Sequence, residues 1–151
     1  MVSAAQPFCL PHKLPPSLAT IHRRWRGLIR AENRMPFSDD ISVSRLGGQT
    51  SRLMLVDVFS TPQRFRFSRL GEGIIARFGG DISGQFADEL KLGEPFDYLL
   101  AQAAATVEAA APTFYSTSPP RQKKRRRGDY ARIMLPAWGN GRVDLIVGAV
   151  G

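Results

Sequence analysis

The stretch "RIMLPAWGNGRVDLIV", residues 132–147, constrains this chain more than any other. Two apolar runs flank Asn140-Gly141, the dipeptide that most readily takes the two consecutive left-handed conformations of a tight hairpin. The strands on either side, "DYARIMLPAW" and "RVDLIVGAV", must therefore pair antiparallel, because so short a link cannot carry a parallel crossover. A second hairpin lies upstream. "RLMLVDVF" from Arg52 to Phe59 is a short, mostly apolar run, "STPQ" turns, and "RFRFSRL" from Arg64 to Leu70 alternates. Phe65 and Phe67 fall on one face of that strand and Arg64 and Arg66 on the other, so one face is wet. "TFYSTS" supplies a fifth strand.

Helical signals fill the rest. "SLATIHRRWRGLIRAENRMP" sets Leu18, Ile21, Trp25, Leu28 and Ile29 on one face, with His22, Arg23, Arg26 and Arg30 largely on the other. Ser17 is the expected N-cap, and Pro36 ends the helix by Met35, giving a helix over 17–35. Its stripe can pack on its own domain or on a second copy. Residues 1–16 hold four prolines and no periodicity, and are expected to be a flexible tail ahead of a domain over 17–151. "GEGIIARFGGDISGQFADEL" fits two short helical pieces broken at Gly79 and Gly80. "EPFDYLLAQAAATVEAAAP" predicts a longer helix with Phe96, Leu99, Leu100, Ala103, Val107 and Ala111 as its inner stripe, stopped by Pro112. The order helix, two strands, helices, three strands predicts an α+β domain with the helical middle covering one face of one antiparallel sheet.

The residue types exclude much. Cys9 is the one cysteine among 151 residues, so no internal disulfide forms. His12 and His22 lack zinc-ligand spacing, and no metal site is expected. No apolar run approaches the ~20 residues of a membrane span, and the leader lacks a basic n-region, so a cytoplasmic protein is expected. "GEGIIA" matches G-x-G-x-x-A after a strand, but that strand carries Arg66, Ser68 and Arg69 where a dinucleotide-binding fold has a buried apolar run. Gly71 and Gly73 are read instead as easing the exit from the strand. Asp81 in "GGDISG" is read as a turn or cap residue. No acid, base and nucleophile constellation can be assembled, so no catalytic residue and no enzyme activity is expected. No cofactor is expected either, and any small-molecule ligand is unknown.

Two stretches carry a resemblance. Phe65–Gly84 resembles the pattern F-R-Y-R-L-x-G-T-x-L-x-x-x-F-G-x-D-L-T-G, with Phe67 at the Tyr place, Glu72 at the Thr place, and Ile82 and Ser83 for Leu and Thr. Leu135–Gly148 resembles L-P-L-x-x-D-G-x-V-D-x-I-L-G, with Asn140 at the Asp place and Val147 at the Leu place. Both patterns belong to the bacterial family of small, stand-alone PAS-domain proteins, and the resemblance extends over about residues 20–151. Gly47-Gly48 departs from it, standing where that family has a Leu-Pro-like segment. The resemblance implies a PAS-like fold: a five-stranded antiparallel sheet in the order 2-1-5-4-3, helices on one face, and an extra basic, Trp-containing helix in front. It implies a sensory or regulatory module acting through protein–protein interaction, gated or not by a small ligand.

Three sets of residues follow as expected sites. A pocket between the concave sheet face and the helices would be lined by Phe65, Phe67, Ile75, Phe78, Phe96, Leu100, Ile133 and Leu135. So many large side chains with few polar groups to orient a ligand favour a filled core. A homodimer is expected around Ile21, Trp25 and Leu28 together with a sheet face bearing Val143, Leu145 and Ile146, beside an unknown signalling partner. The third set is Arg121, Lys123, Lys124, Arg125, Arg126 and Arg127 in a loop over 118–128. The chain counts 21 Lys and Arg against 13 Asp and Glu, a net of +8; without these six it is 15 against 13, or +2. Such a run can neutralise several phosphates. Binding of a polyanion (nucleic acid, anionic lipid or nucleotide) is therefore the alternative function. With no aromatic residue inside the run to stack a base, it would be non-specific.

Overall fold

A computed structural model describes residues 8–47, 50–118 and 128–151. Helix α1 spans Pro16–Gly27, strands β1 Leu53–Phe59 and β2 Arg64–Leu70, helices α2 Glu72–Phe78 and α3 Leu99–Ala109, and strands β3 Thr113–Ser116, β4 Ala131–Gly139 and β5 Arg142–Val150. The five strands form one antiparallel sheet in the order β2-β1-β5-β4-β3, so the α+β class and the expected strand order hold. The β4–β5 turn works as its dipeptide requires: Asn140 and Gly141 both take positive φ, 54° and 76°.

Period-two alternation distributes side chains to two cores. Met54, Val56, Val58, Phe65, Phe67, Met134 and Ile146 face α2 and α3, where Ile74, Phe96, Leu99 and Ala103 cover them. Leu53, Ile133, Leu135, Val143, Val147 and Ala149 face the opposite way, onto Leu18, Ile21 and Trp25 of α1 and onto Met35 and Leu46. The helices of the middle thus cover one face, as expected, and the extra N-terminal helix covers the other.

Three local expectations are corrected. Helix α1 starts one residue after Pro15, with Pro16 in its first turn and no side-chain cap from Ser17. It ends at Gly27, well before Met35. Leu28 and Ile29 close it with three-residue-back bonds to Trp25 and Arg26, and Ala31 then reverses the chain at φ 51°. Helix α3 begins at Leu99 rather than near Glu94, because Tyr98 sits in the left-handed region at φ 58°. Finally, the part of the expected flexible tail that is described, Phe8 to Pro15, lies against the domain. Leu10 and Leu14 pack on the α1-side core, and the Phe8 carbonyl accepts a 3.0 Å bond from the Phe114 amide.

That last bond and its counterpart on β2 affect both sheet edges. The Phe67 amide donates to the Gln85 carbonyl at 3.0 Å, and the Gly84 amide donates to the Phe67 carbonyl. Each edge strand is thus blunted by a neighbouring loop of the same chain, which limits pairing with a foreign strand there.

Candidate functional site

The expected pocket is divided by the sheet. Phe65, Phe67 and Phe96 are buried between the sheet and α2–α3, with Ile75 and Phe78 packed on them. Their rings interlock: Phe67 and Phe78 each contact Phe96, at centroid distances of 5.1 and 5.0 Å. Ile133 and Leu135 do not belong with them. They point to the α1 side, because Met134 in β4, like Tyr130 just before it, belongs to the core on the other side. Leu100 is also outside this core, 39% exposed, while Leu99 takes the buried position.

The expected dimer surface is covered by the chain itself. Ile21, Trp25 and Val143 are buried in the α1-side core, and Ile146 is buried on the opposite side of the sheet. Leu28 and Leu145 are half-buried. These residues are not brought together as one exposed face. Arg121, Lys123, Lys124, Arg125, Arg126 and Arg127 lie outside the described residues. The stem of their loop is fixed: Ser118 Oγ donates to Asp129 at 2.8 Å, and Arg77 donates to the Gly128 carbonyl.

A buried polar cluster is the feature that sequence reasoning missed. Arg132 is fully buried in β4. Its Nε donates to Gln102 Oε1, and its two terminal nitrogens donate to the carbonyls of Pro95 and Asp97, each at 2.8 Å. The Tyr115 ring lies 5.1 Å from the guanidinium carbon. Gln102 Nε2 donates onward to Thr113 Oγ1 and to the Arg132 carbonyl, and the Thr106 and Thr113 hydroxyls are 2.7 Å apart. Tyr130 donates to Asp97 Oδ2 at 2.8 Å and accepts from the Asp97 amide. Burial lowers the Arg132 pKa, and burial together with the bond to Asp97 raises that of the Tyr130 phenol. The cluster fastens the 95–98 segment, and with it the start of α3, to β4. Its signals are present in the sequence: an arginine inside an apolar strand, and Gln102 and Thr106 four apart on an alanine-rich helix.

The glycine motif has a packing role. A side chain on Gly71 would collide with the Thr50 carbonyl, and one on Gly73 would lie 2.8 Å from the Ser51 carbonyl. The chain's own backbone therefore occupies the approach that a pyrophosphate would need at these glycines. Asp81 accepts from the Ser83 amide and hydroxyl at 3.0 and 2.6 Å, a local turn that matches its expected role. Among the described residues no group of three His, Cys, Asp or Glu could hold a metal, and no helix is long and apolar enough to cross a membrane.

No family model matches the chain, and no curated protein matches it. Among solved structures it is similar to a sensory box sensor histidine kinase from Vibrio cholerae, at 17% identity and a TM-score of 0.48. The match covers 72% of this chain and 86% of that one.

Proposed function

We propose that the chain is a non-enzymatic regulatory module of the PAS type that acts by binding a protein partner. The observation that carries this reading is the filled space between the sheet and α2–α3. Phe67, Phe78 and Phe96 pack ring against ring there over Met54 and Val56, in the place where a ligand-gated module of this topology would hold its ligand. A small ligand has to displace those rings, whereas a partner uses the outside. Native mass spectrometry of the freshly purified, nuclease-treated chain tests this. The expected mass is that of the polypeptide alone or of its multiples, and a stoichiometric small molecule would replace this reading with that of a ligand sensor.

A second reading is favoured by one sequence fact, the six cations among the seven residues from Arg121 to Arg127. In it the loop binds a polyanion. Replacing all six with Ser should abolish oligonucleotide binding and its steep salt dependence while leaving the fold unchanged. Survival of the cellular phenotype in that variant would remove this reading.

A further inference from the structure

Trp138 lies at the end of β4, yet it is 39% exposed, and Phe37 beside it is 40% exposed. Large aromatic side chains left this open are a loss of burial that the fold does not recover internally. The placement is specific. The β4–β5 register shifts between Ala137 and Trp138, and such a bulge re-aims the side chain that follows it. The Trp138 amide donates to the Pro36 carbonyl at 2.9 Å, and Phe37 bridges Trp138 in parallel, so the backbone on both sides is fixed.

Trp138 is the wall shared by two clefts. One, of about 350 Å³, has Val58, Phe59, Val107 and Val143 on its walls and Arg142 at its edge. The other, of about 150 Å³, lies between Trp138, Phe37 and Met35 with Arg34 at its edge. Among the described residues no acidic side chain lines either cleft. The nearby carboxylate of Asp144 accepts from Ser38 Oγ and Asn140 Nδ2 through Oδ2, while its Oδ1 is buried without a hydrogen-bond partner among the described residues. Arg34 and Arg142 each spend a hydrogen bond on backbone carbonyls, of Ala109 and of Val58, and neither forms an ion pair among the described residues. An aromatic anchor flanked by apolar walls with a charged rim is the anatomy of a protein-binding hot spot.

We infer that this double cleft is the partner-docking surface, and that its occupant is an acidic segment of another protein carrying one large apolar side chain. The apolar side chain would pack against Trp138 and the half-buried Phe59, and flanking carboxylates would meet Arg34 and Arg142. Charge complementarity selects the acidic segment, because both rims are cationic and uncompensated. The inference rests on the reading that the chain binds a protein partner.

The test is selection from a random dodecapeptide library on the immobilised full chain, run in parallel on the variant with the six loop cations replaced by Ser. Enriched peptides should carry Leu, Phe, Met or Trp flanked by Asp and Glu on both proteins. Trp138→Ala should weaken their binding about tenfold or more. Arg34→Glu, at an exposed position, should shift the enriched flanks away from acids, and it provides a variant that keeps the fold if Arg142→Glu does not. Enrichment that is basic, absent, or unchanged by Trp138→Ala overturns the inference, as does Trp138-dependent displacement by single-stranded oligothymidylate. The broader reading fails differently, by a stoichiometric ligand in the native mass spectrum. A partner photo-crosslinked in cells from another face would remove this surface alone.

Discussion

The indole Nε1 of Trp25 donates a 2.9 Å hydrogen bond to the carbonyl of Pro136, joining α1 to the interior of β4. Proline has no amide to give, but its carbonyl still needs a donor when it is buried. The bond therefore does two things: it satisfies the indole and it orients α1 across the sheet.

Trp25→Phe should keep most of the packing and orphan the Pro136 carbonyl, a loss of about 1–3 kcal/mol in urea unfolding. Trp25→Glu should unfold the domain rather than split a dimer, since the charge would enter a core and not an interface. A folded Trp25→Glu variant of halved mass would contradict this and restore α1 as a dimer helix.

Glycine positions separate in the same assay. Gly71→Ala should cost roughly 1–3 kcal/mol, because its methyl meets the backbone of Thr50, which has no flexible end to move aside. Gly80→Ala has nothing within 4 Å of the added carbon and should be neutral, or stabilising by about 0.4–1 kcal/mol through the unfolded chain. Equal effects at the two sites would show that the close contact at Gly71 is not maintained in solution.

Much of this architecture was legible where the two faces of an element differ in polarity. β2 alternates Phe and Arg, so its limits and inward face follow from the sequence, and Asn140-Gly141 fixed the last hairpin. β4 is different. From Ala131 to Ala137 every residue is buried, so apolar residues occur on both faces and the period-two pattern cannot say which is which. That is why the sequence places Ile133 and Leu135 beside Phe67, whereas they lie against α1. The stripe of α1 was legible as apolar, but a stripe does not identify the surface it meets. Arg132 is not legible as buried, because charge is expected outside, and only its acceptors, distant in sequence, explain its burial.

His22 gives a pH prediction. It stacks on Trp25 at 5.9 Å, and its pKa is lowered, first by burial and then by the Arg26 charge. The folded state therefore binds the proton more weakly than the unfolded chain, whose histidine titrates near ~6.5. Above that value both states are neutral here and stability is indifferent to this group. As pH falls through it, the unfolded chain takes the proton first and stability declines. Unfolding midpoints should drop between pH of about 7.5 and about 5.5, and His22→Gln should flatten that slope. Asp40, Asp81 and Asp88, all held below the usual carboxylate range by hydrogen bonds, act only at lower pH and do not confuse the reading. A slope unchanged in His22→Gln would assign the dependence elsewhere.

Arg132 is the most demanding test of the polar cluster. Three acceptors within the stretch 95–102 converge on one planar guanidinium, and the fork geometry is what lets a single side chain serve them all. Arg132→Met fills a similar volume but leaves the Gln102 amide oxygen and the Pro95 and Asp97 carbonyls without donors, and should cost roughly 3 kcal/mol or more. Arg132→Lys should recover little of that, because one ammonium on a flexible stem cannot satisfy three separated oxygens. Gln102→Leu should be less harmful in the Arg132→Met background than alone, since one of the orphaned acceptors is then removed. Hydrogen exchange locates the effect: amides at the start of α3 should lose protection before those of β1 and β5, because the cluster fastens that helix and not the centre of the sheet. Full rescue by Lys, or simple additivity of the two substitutions, would mean that the guanidinium is a packed bystander and that the 95–98 segment is held by Tyr130 and Asp97 instead.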